Sequence, residues 1–352
     1  MKKIILSSAA VLVIIFVIAA VMRYNSRNMC VVNSEIFHLG TLISIKLCGS
    51  DEKFLNDELK KTEDEIGRLE NLFSANIASS DISRVNAANG AWTQISEETA
   101  SLVDYALRLS QVTHGAFDPS VGRIVKLWGI GTEKARVPAQ SEIDNALASC
   151  GVKSLKLKRE NGKYWLAAQN GVWIDLGAIA KGRVADILKD MLRRDGVTSA
   201  LINLGGNLYM KGTNGGRPWR VGIQSPGKER GEYFGVVEAS DMSVVTSGNY
   251  ERFFEYNGVR YHHIFNSETG RPAEEDFLSV SVIDKDSAKA DALCTALFVM
   301  GERAAERFLK ENKDTAAVIV YAKNRQVLVT DKAKKYFTLT DSDYAAVEEN
   351  VK

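Results

Sequence analysis

The sequence predicts an α+β fold, with a mixed, largely antiparallel sheet and flanking helices, forming one globular domain behind an N-terminal membrane segment. Three observations carry this expectation. Residues 4–22 form an uncharged apolar run, two long segments repeat apolar residues at helical spacing, and short strand-like runs are separated by Asn-Gly pairs.

The run at residues 4–22 follows Lys2 and Lys3 and ends in Met22-Arg23 with no small-x-small cleavage site. It is about as long as a bilayer core is thick, roughly 20 residues. An uncleaved signal anchor in the cytoplasmic membrane is expected, with the rest of the chain on the periplasmic, extracytoplasmic side. Cys30 follows Asn28-Met29 and lacks the small residues that precede a lipidated cysteine. Residues 23–34 read as a connector, 35–335 as the folded domain and 336–352 as a C-terminal tail.

Residues 35–47 alternate like a strand, with Ile43, Ile45 and Leu47 on one side. Residues 52–73 place Phe54, Leu55, Leu59, Ile66, Leu69, Leu72 and Phe73 at near-helical spacing, and 97–113 read as a second amphipathic helix. Strand-like runs at 155–157, 164–168 and 172–175 are separated by Asn161-Gly162 and Asn170-Gly171, both hairpin signals. A helix over 178–194 follows, then strands at 199–204, 219–224, 232–238 and 242–246. A last helix over 288–310, broken near Gly301, precedes strands at 316–321 and 326–330.

The balance of 45 Lys+Arg against 44 Asp+Glu gives a net charge of +1, which excludes a broad field for nucleic acid. Cys30, Cys48, Cys150 and Cys294 show no C-x-x-C spacing, so neither a zinc site nor a redox pair is indicated. Export would permit a Cys48–Cys150 disulfide, but nothing selects that pairing and none is expected.

Several segments carry chemistry, each beside a plainer reading. Residues 113–122 place Ala116, Phe117 and Asp118 in a Gly- and Pro-punctuated stretch after a helix, which turn chemistry alone explains. Asp175 to Lys181 runs from a strand through a turn into a helix start, where unpaired N–H groups gather anions, though it matches no standard phosphate loop. Asn203-Leu204-Gly205-Gly206-Asn207 is a tight turn or a close backbone approach, and Thr246-Ser247-Gly248 is a cradle of small hydroxyls. His262 and His263 fall on opposite faces of an extended segment, so at most one points into a site. The sharpest pair is Asp291 and Thr295, four residues apart on one face of a helix otherwise small or apolar there. A hard divalent cation would offset the cost of burying that carboxylate; capping its own helix is the alternative, for which Asp286 or Ser287 is better placed.

Taken in order, these segments resemble the ApbE family of FAD:protein FMN transferases. The resemblance runs from about residue 37 to 301: His38-Leu39-Gly40-Thr41, then Leu72-Phe73-Ser74 with Ser80 to Asn86, then 115–128, 175–182, 246–252, 263–272 and 291–301.

It implies Mg²⁺ as cofactor, with the backbone carbonyl of Ala178 and the side chains of Asp291 and Thr295 as ligands. FAD is the implied substrate, held by Leu39, Ala116, Phe117, Asp118, Asp175, Lys181 and Ile264. His263 is the implied proton acceptor and Asp291 the metal-holding catalytic group. Where the family often carries an aromatic after Leu-Phe-Ser, this chain has Ala75-Asn76, which makes Asn76 a position over the flavin and leaves water as a competing acceptor. The implied reaction moves FMN onto a threonine or serine of an acceptor flavoprotein subunit in a membrane redox complex, releasing AMP. A Mg²⁺-dependent FAD pyrophosphatase giving FMN and AMP, and a non-catalytic flavin-binding protein, are the alternatives.

Overall fold

The computed structural model describes residues 29–347. The apolar run at 4–22 lies outside them, and no helix among the described residues is long and apolar enough to cross a membrane.

The chain begins with β1 (Cys30–His38), β2 (Thr41–Gly49), α1 (Glu52–Phe73), α2 (Asp81–Ala87), β3 (Thr93–Ile95) and α3 (Glu97–Val112). There follow α4 (Gly122–Trp128), α5 (Gln140–Leu147), β4 (Leu155–Glu160), β5 (Lys163–Ala168), α6 (Ala180–Arg194), β6 (Ser199–Leu204) and β7 (Asn207–Lys211). The middle holds β8 (Trp219–Gln224), β9 (Tyr233–Ala239), β10 (Met242–Gly248), β11 (Phe253–Tyr256), β12 (Val259–His262), β13 (Phe265–Asn266) and β14 (Arg271–Pro272). The chain ends in β15 (Phe277–Asp284), α7 (Ser287–Glu311), β16 (Ala316–Tyr321), β17 (Gln326–Val329), β18 (Phe337–Leu339) and β19 (Ala345–Val347).

Nine strands form the central sheet in the order β1-β2-β6-β7-β10-β15-β16-β17-β19, antiparallel except for the β17–β19 pair. Its middle strands are covered on both faces. Val244, Ile283, Val318 and Val327 pack toward the three-stranded sheet β18-β9-β8, while their neighbours Val245, Val282, Ile319 and Leu328 pack under α7. That two-sided cover is why β16 is buried along its whole length. Helices α1, α3 and α6 close a second core over β1, β2 and β6, and α4 and α5 build a small cluster around Trp128. The fold is therefore α+β with a largely antiparallel sheet, as the sequence predicts.

Four readings change. Residues 35–47 are two strands, because Leu39-Gly40 makes a two-residue turn that pairs His38 with Thr41; Leu39 takes a left-handed φ of 53°, which no sequence rule assigns to leucine. β1 starts at Cys30, inside the expected connector, since its whole length pairs with β2. Residues 172–175 form no strand. Their backbone is satisfied by a loop and by one side chain: Gly122 N donates to Trp173 O, and the Asn86 amide both donates to Ile174 O and accepts from Ile174 N. In the expected tail, β18 extends the β9 sheet and β19 extends the central one.

The Asn161-Gly162 signal does form the β4–β5 hairpin, with φ of 51° and 74°. The four cysteines are free thiols; buried Cys294 donates from Sγ to Val245 O at 2.9 Å.

Candidate active site

The site begins where α6 meets α7. A Cβ on Gly182 would stand 2.3 Å from Ser287 O and 2.6 Å from the Ala288 Cα, so the two helices touch backbone to backbone and only glycine fits. Ile179, at the N-cap of α6, offers no side-chain acceptor. Asp291 from α7 supplies one instead: its Oδ2 accepts from Gly182 N at 2.8 Å. The favour is returned, since Asp186 of α6 accepts from Ser287 N and Ala288 N at the start of α7. Each helix N-terminus is thus capped by a carboxylate of the other.

This changes the reading of Asp291. It does not cap its own helix, whose N-cap is Asp286 accepting from Lys289 N at 2.8 Å. The residue is 4% exposed, and Oδ2 is satisfied by a neighbouring helix start. Thr295 lies one turn along, half-buried, and its hydroxyl makes no hydrogen bond with any described residue. Ala178 is half-buried two residues before α6. Together they offer one carboxylate, one hydroxyl and one carbonyl. That all-oxygen set suits a small hard cation that takes its other ligands from water and phosphate, rather than a dedicated protein cage.

Beside this wall the loop before α6 is folded on itself. Asp175 N donates to Pro119 O at 2.9 Å, Asp175 Oδ1 accepts from Gly177 N at 2.7 Å, and Lys181 Nζ donates to Gly177 O at 3.1 Å. Burial raises the Asp175 carboxyl above its ordinary value, opposed by Lys181 and Arg252.

His263 stands opposite, half-buried. Burial, then the nearby Arg252 and Lys181 cations, hold its imidazole down to about 3, so it is neutral at physiological pH. Its backbone N donates to Arg252 O at 3.1 Å and its Nδ1 lies 3.2 Å from the same carbonyl. A carbonyl can only accept, so the proton sits on Nδ1 and Nε2 carries the lone pair. His262 points the other way, as the adjacency argument requires of one of the pair: it is 1% exposed, with Nε2 against Ala273 O at 3.1 Å and its ring edge-on to Phe298.

Two charged residues beside these groups were not singled out from the sequence. Arg252 acts on Asp175, Glu251 and His263, and its Nη2 donates to Gly40 O at 2.7 Å, tying the Leu39-Gly40 turn to these groups. Glu251 is raised by burial and faces Arg230, Arg252 and Lys181. Their signal was an acid–base pair closing the Thr246 to Arg252 block.

The remaining expected residues divide. Leu39, Ala116 and Ala178 are half-buried around the edge of one core cluster. Phe117 and Ile264 are 2% and 4% exposed and lie in cores, leaving only their backbone for a ligand. Asp118 is engaged in its own turn, accepting from Ser120 N at 2.7 Å and Ser120 Oγ at 2.6 Å. Asn76 is exposed, its N donating to Ser74 Oγ at 3.0 Å.

A family model described as the ApbE family matches residues 39–320. A curated relative named FAD:protein FMN transferase, from Klebsiella pneumoniae (strain 342), is 34% identical over 311 residues, 88% of this chain and 95% of its own length. Another of the same name, from Treponema pallidum (strain Nichols), is 38% identical over 270 residues, 73% of this chain and 75% of its own. Among solved structures, the ApbE protein of Thermotoga maritima superposes with a TM-score of 0.80 at 31% identity, covering 87% of this chain and 99% of that one.

Proposed function

From the premise that this chain belongs to the ApbE family, we propose that it is a Mg²⁺-dependent FAD:protein FMN transferase acting on a threonine or serine of an acceptor protein. The observation that carries the reading is that, inside the matched residues, Asp291 caps the first turn of α6, the turn that also carries Lys181, while Lys181 and Arg252 both act on a neutral His263.

The donors at Ala178, Asp291 and Thr295 fit Mg²⁺, which when bound supplies charge neutralisation at the pyrophosphate oxygens. The protein's own residues account for the rest. Lys181 and Arg252 add fixed positive charge where the pyrophosphate of FAD would lie. That anion would offset the two cations holding His263 down and so raise its basicity once substrate is in place. The acceptor hydroxyl attacks the flavin-side phosphorus: an O–P bond forms, the bond to the AMP oxygen breaks, and the hydroxyl proton passes to His263 Nε2. Backbone around Ala116 and Ile264 and the Leu39 turn would frame the nucleotide.

The acceptor we envisage is a flavoprotein subunit of a membrane redox complex, reached on the extracytoplasmic side with this chain held by residues 4–22. A second reading rests on Asn76: without an aromatic there, water competes for the phosphorus and the enzyme is an FAD pyrophosphatase. A carrier that only holds FAD would have no use for the unpaired Thr295 hydroxyl beside Asp291. To separate them, the full-length chain is incubated with FAD and Mg²⁺, with and without threonine-bearing peptides, and AMP, free FMN and peptide-bound flavin are assayed. Transfer predicts AMP and bound flavin in equal amounts; AMP with only free FMN supports the hydrolase, and no AMP in any arm sinks both.

A further inference from the structure

The β11–β12 ribbon starts just after Arg252 and ends just before His263, and it belongs to no larger sheet. A groove of about 710 Å³ runs beside it. One wall is made by the consecutive residues 258–262 and another by 271–275, with Trp128 and Leu278 also lining it.

Side chains alternate faces along a strand, so a wall formed by every residue of β12 is the strand's backbone edge and not one of its faces. The N–H and C=O groups of 259–262 bond backbone only across the ribbon to β11 among the described residues. The edge is therefore open from Val259 to Tyr261 and closes at His262, whose Nε2 lies 3.1 Å from Ala273 O on the facing wall. Val259 and Tyr256, opposite each other near the ribbon tip, are 50% and 54% exposed. The inner end is anchored, with Tyr261 packed 5.3 Å from Phe254 and 5.4 Å from Trp128 between ring centroids.

A small ligand has little use for an open strand edge, whereas an extended polypeptide matches it bond for bond. The walls also mix signs, with Arg260 and Arg271 against Glu255, Glu274 and Glu275, which suits a peptide better than a single anion. The edge leads directly to the reacting group: β12 ends at His262, and the next residue is His263. One strand residue advances about 3.3 Å.

We propose that the groove beside β12 docks the protein acceptor as an added β-strand, delivering its hydroxyl-bearing residue past the strand end to His263. This rests on the transferase reading.

The test uses the full-length chain with FAD, Mg²⁺ and a pool of synthetic peptides, each with one central threonine, read by mass for the FMN adduct. For a peptide that is modified, its backbone N-methylated form and the Glu274→Trp variant, which fills the exposed side of the groove, are compared with the unmodified pair. The expected result is a rise in peptide KM of about tenfold or more in both cases, with FAD affinity unchanged and added hydrogen-exchange protection at 259–262 on peptide binding. Adduct formed with KM unaltered by either change, or without protection there, overturns the groove and leaves transfer standing. Protection that grows with protein concentration in the absence of peptide assigns the edge to a second copy of this chain and equally overturns it. AMP release with no adduct on any peptide removes the acceptor itself: the transferase reading and the groove fall together, and the hydrolase reading stands.

Discussion

At one side of the site, α6 and α7 press backbone against backbone at Gly182 and cap each other's first turns, while the β11–β12 ribbon packs only its inner end, on the small cluster around Trp128 and, through His262, on Phe298 of α7. The helical side has no room for adjustment. The ribbon side has an open edge and exposed tip residues. The difference matches the two tasks of a transferase: a pyrophosphate and its cation need fixed charges, and a second protein needs accessible backbone.

The largest expected effect strikes the helical side. Asp291→Ala removes the one carboxylate of the Ala178–Asp291–Thr295 set, and AMP release should fall by roughly a hundredfold to a thousandfold. Because Oδ2 also caps α6 at Gly182 N, unfolding stability should drop by about 1 kcal/mol as well. AMP release at the unmodified rate would break the assignment of this wall.

A paired glycine substitution sharpens the comparison. Gly182→Ala drives a methyl into Ser287 O and the Ala288 Cα, and overpacking of that kind costs about 1–3 kcal/mol or more. Gly258→Ala on the ribbon meets nothing within 4 Å, and only its φ of 75° resists, a penalty of about 1–2 kcal/mol. Thermal melts should therefore place the first variant below the second, with the apparent Mg²⁺ affinity falling only in the first. Equal melting shifts would mean that the α6–α7 contact yields more easily than its geometry implies.

The histidine pair divides the same way and gives a pH prediction. Burial, then Arg260, holds His262 down to about 4 despite its bond to Ala273 O. Its folded value lies below its unfolded one, so the unfolded chain takes up a proton as pH falls past about 6.5 while the folded chain does not until about 4. Stability from this group is complete above neutral pH and declines by about 1.4 kcal/mol per pH unit across that window. In urea titrations at several pH values, His262→Gln should flatten this decline. An identical acid slope in the variant would show that other groups set it.

The sequence made the rigid wall legible and the open one obscure, for physical reasons. The spacing of Asp291 and Thr295 is a helix period, and α1 and β6 were bounded correctly because their burial follows a single period. Gly301 broke the last helix where expected, with φ 68° and Asp276 Oδ2 accepting from Glu302 N. By contrast β15 escaped notice: three acidic residues precede it and two serines interrupt it, one of them satisfied only by Thr246 across the sheet. The Asn86 clasp on Ile174, the capping of α6 by Asp291 and the bond from Leu39 N to Glu70 Oε1 that holds the Leu39 turn are long-range bonds without any local signature. Arg252 belongs with them, since its role depends on reaching Gly40 far away in sequence.

The smallest effect is expected at Asn76, which lies on neither wall. It is exposed in the turn after α1, where Ser74 Oγ accepts its N–H, and the adjoining Ala75 packs at the core edge that also holds Leu39 and Ala116. If FAD spreads its flavin over this edge, Asn76→Tyr adds a ring that can stack on it, worth about 0.5–1.5 kcal/mol beyond area burial. FAD would then bind about twofold to tenfold more tightly. The turn would not resist the change, since the Asn76 side chain makes no hydrogen bond with any described residue. A stacked ring would also exclude water from the phosphorus, so free FMN formed without acceptor should fall while peptide-bound flavin persists. The ribbon, not this turn, receives the acceptor, and so the peptide KM should be unmoved. Unchanged FAD affinity, measured by flavin fluorescence, together with undiminished hydrolysis would place the isoalloxazine elsewhere, and would leave the discrimination between water and protein to the groove beside β12 alone.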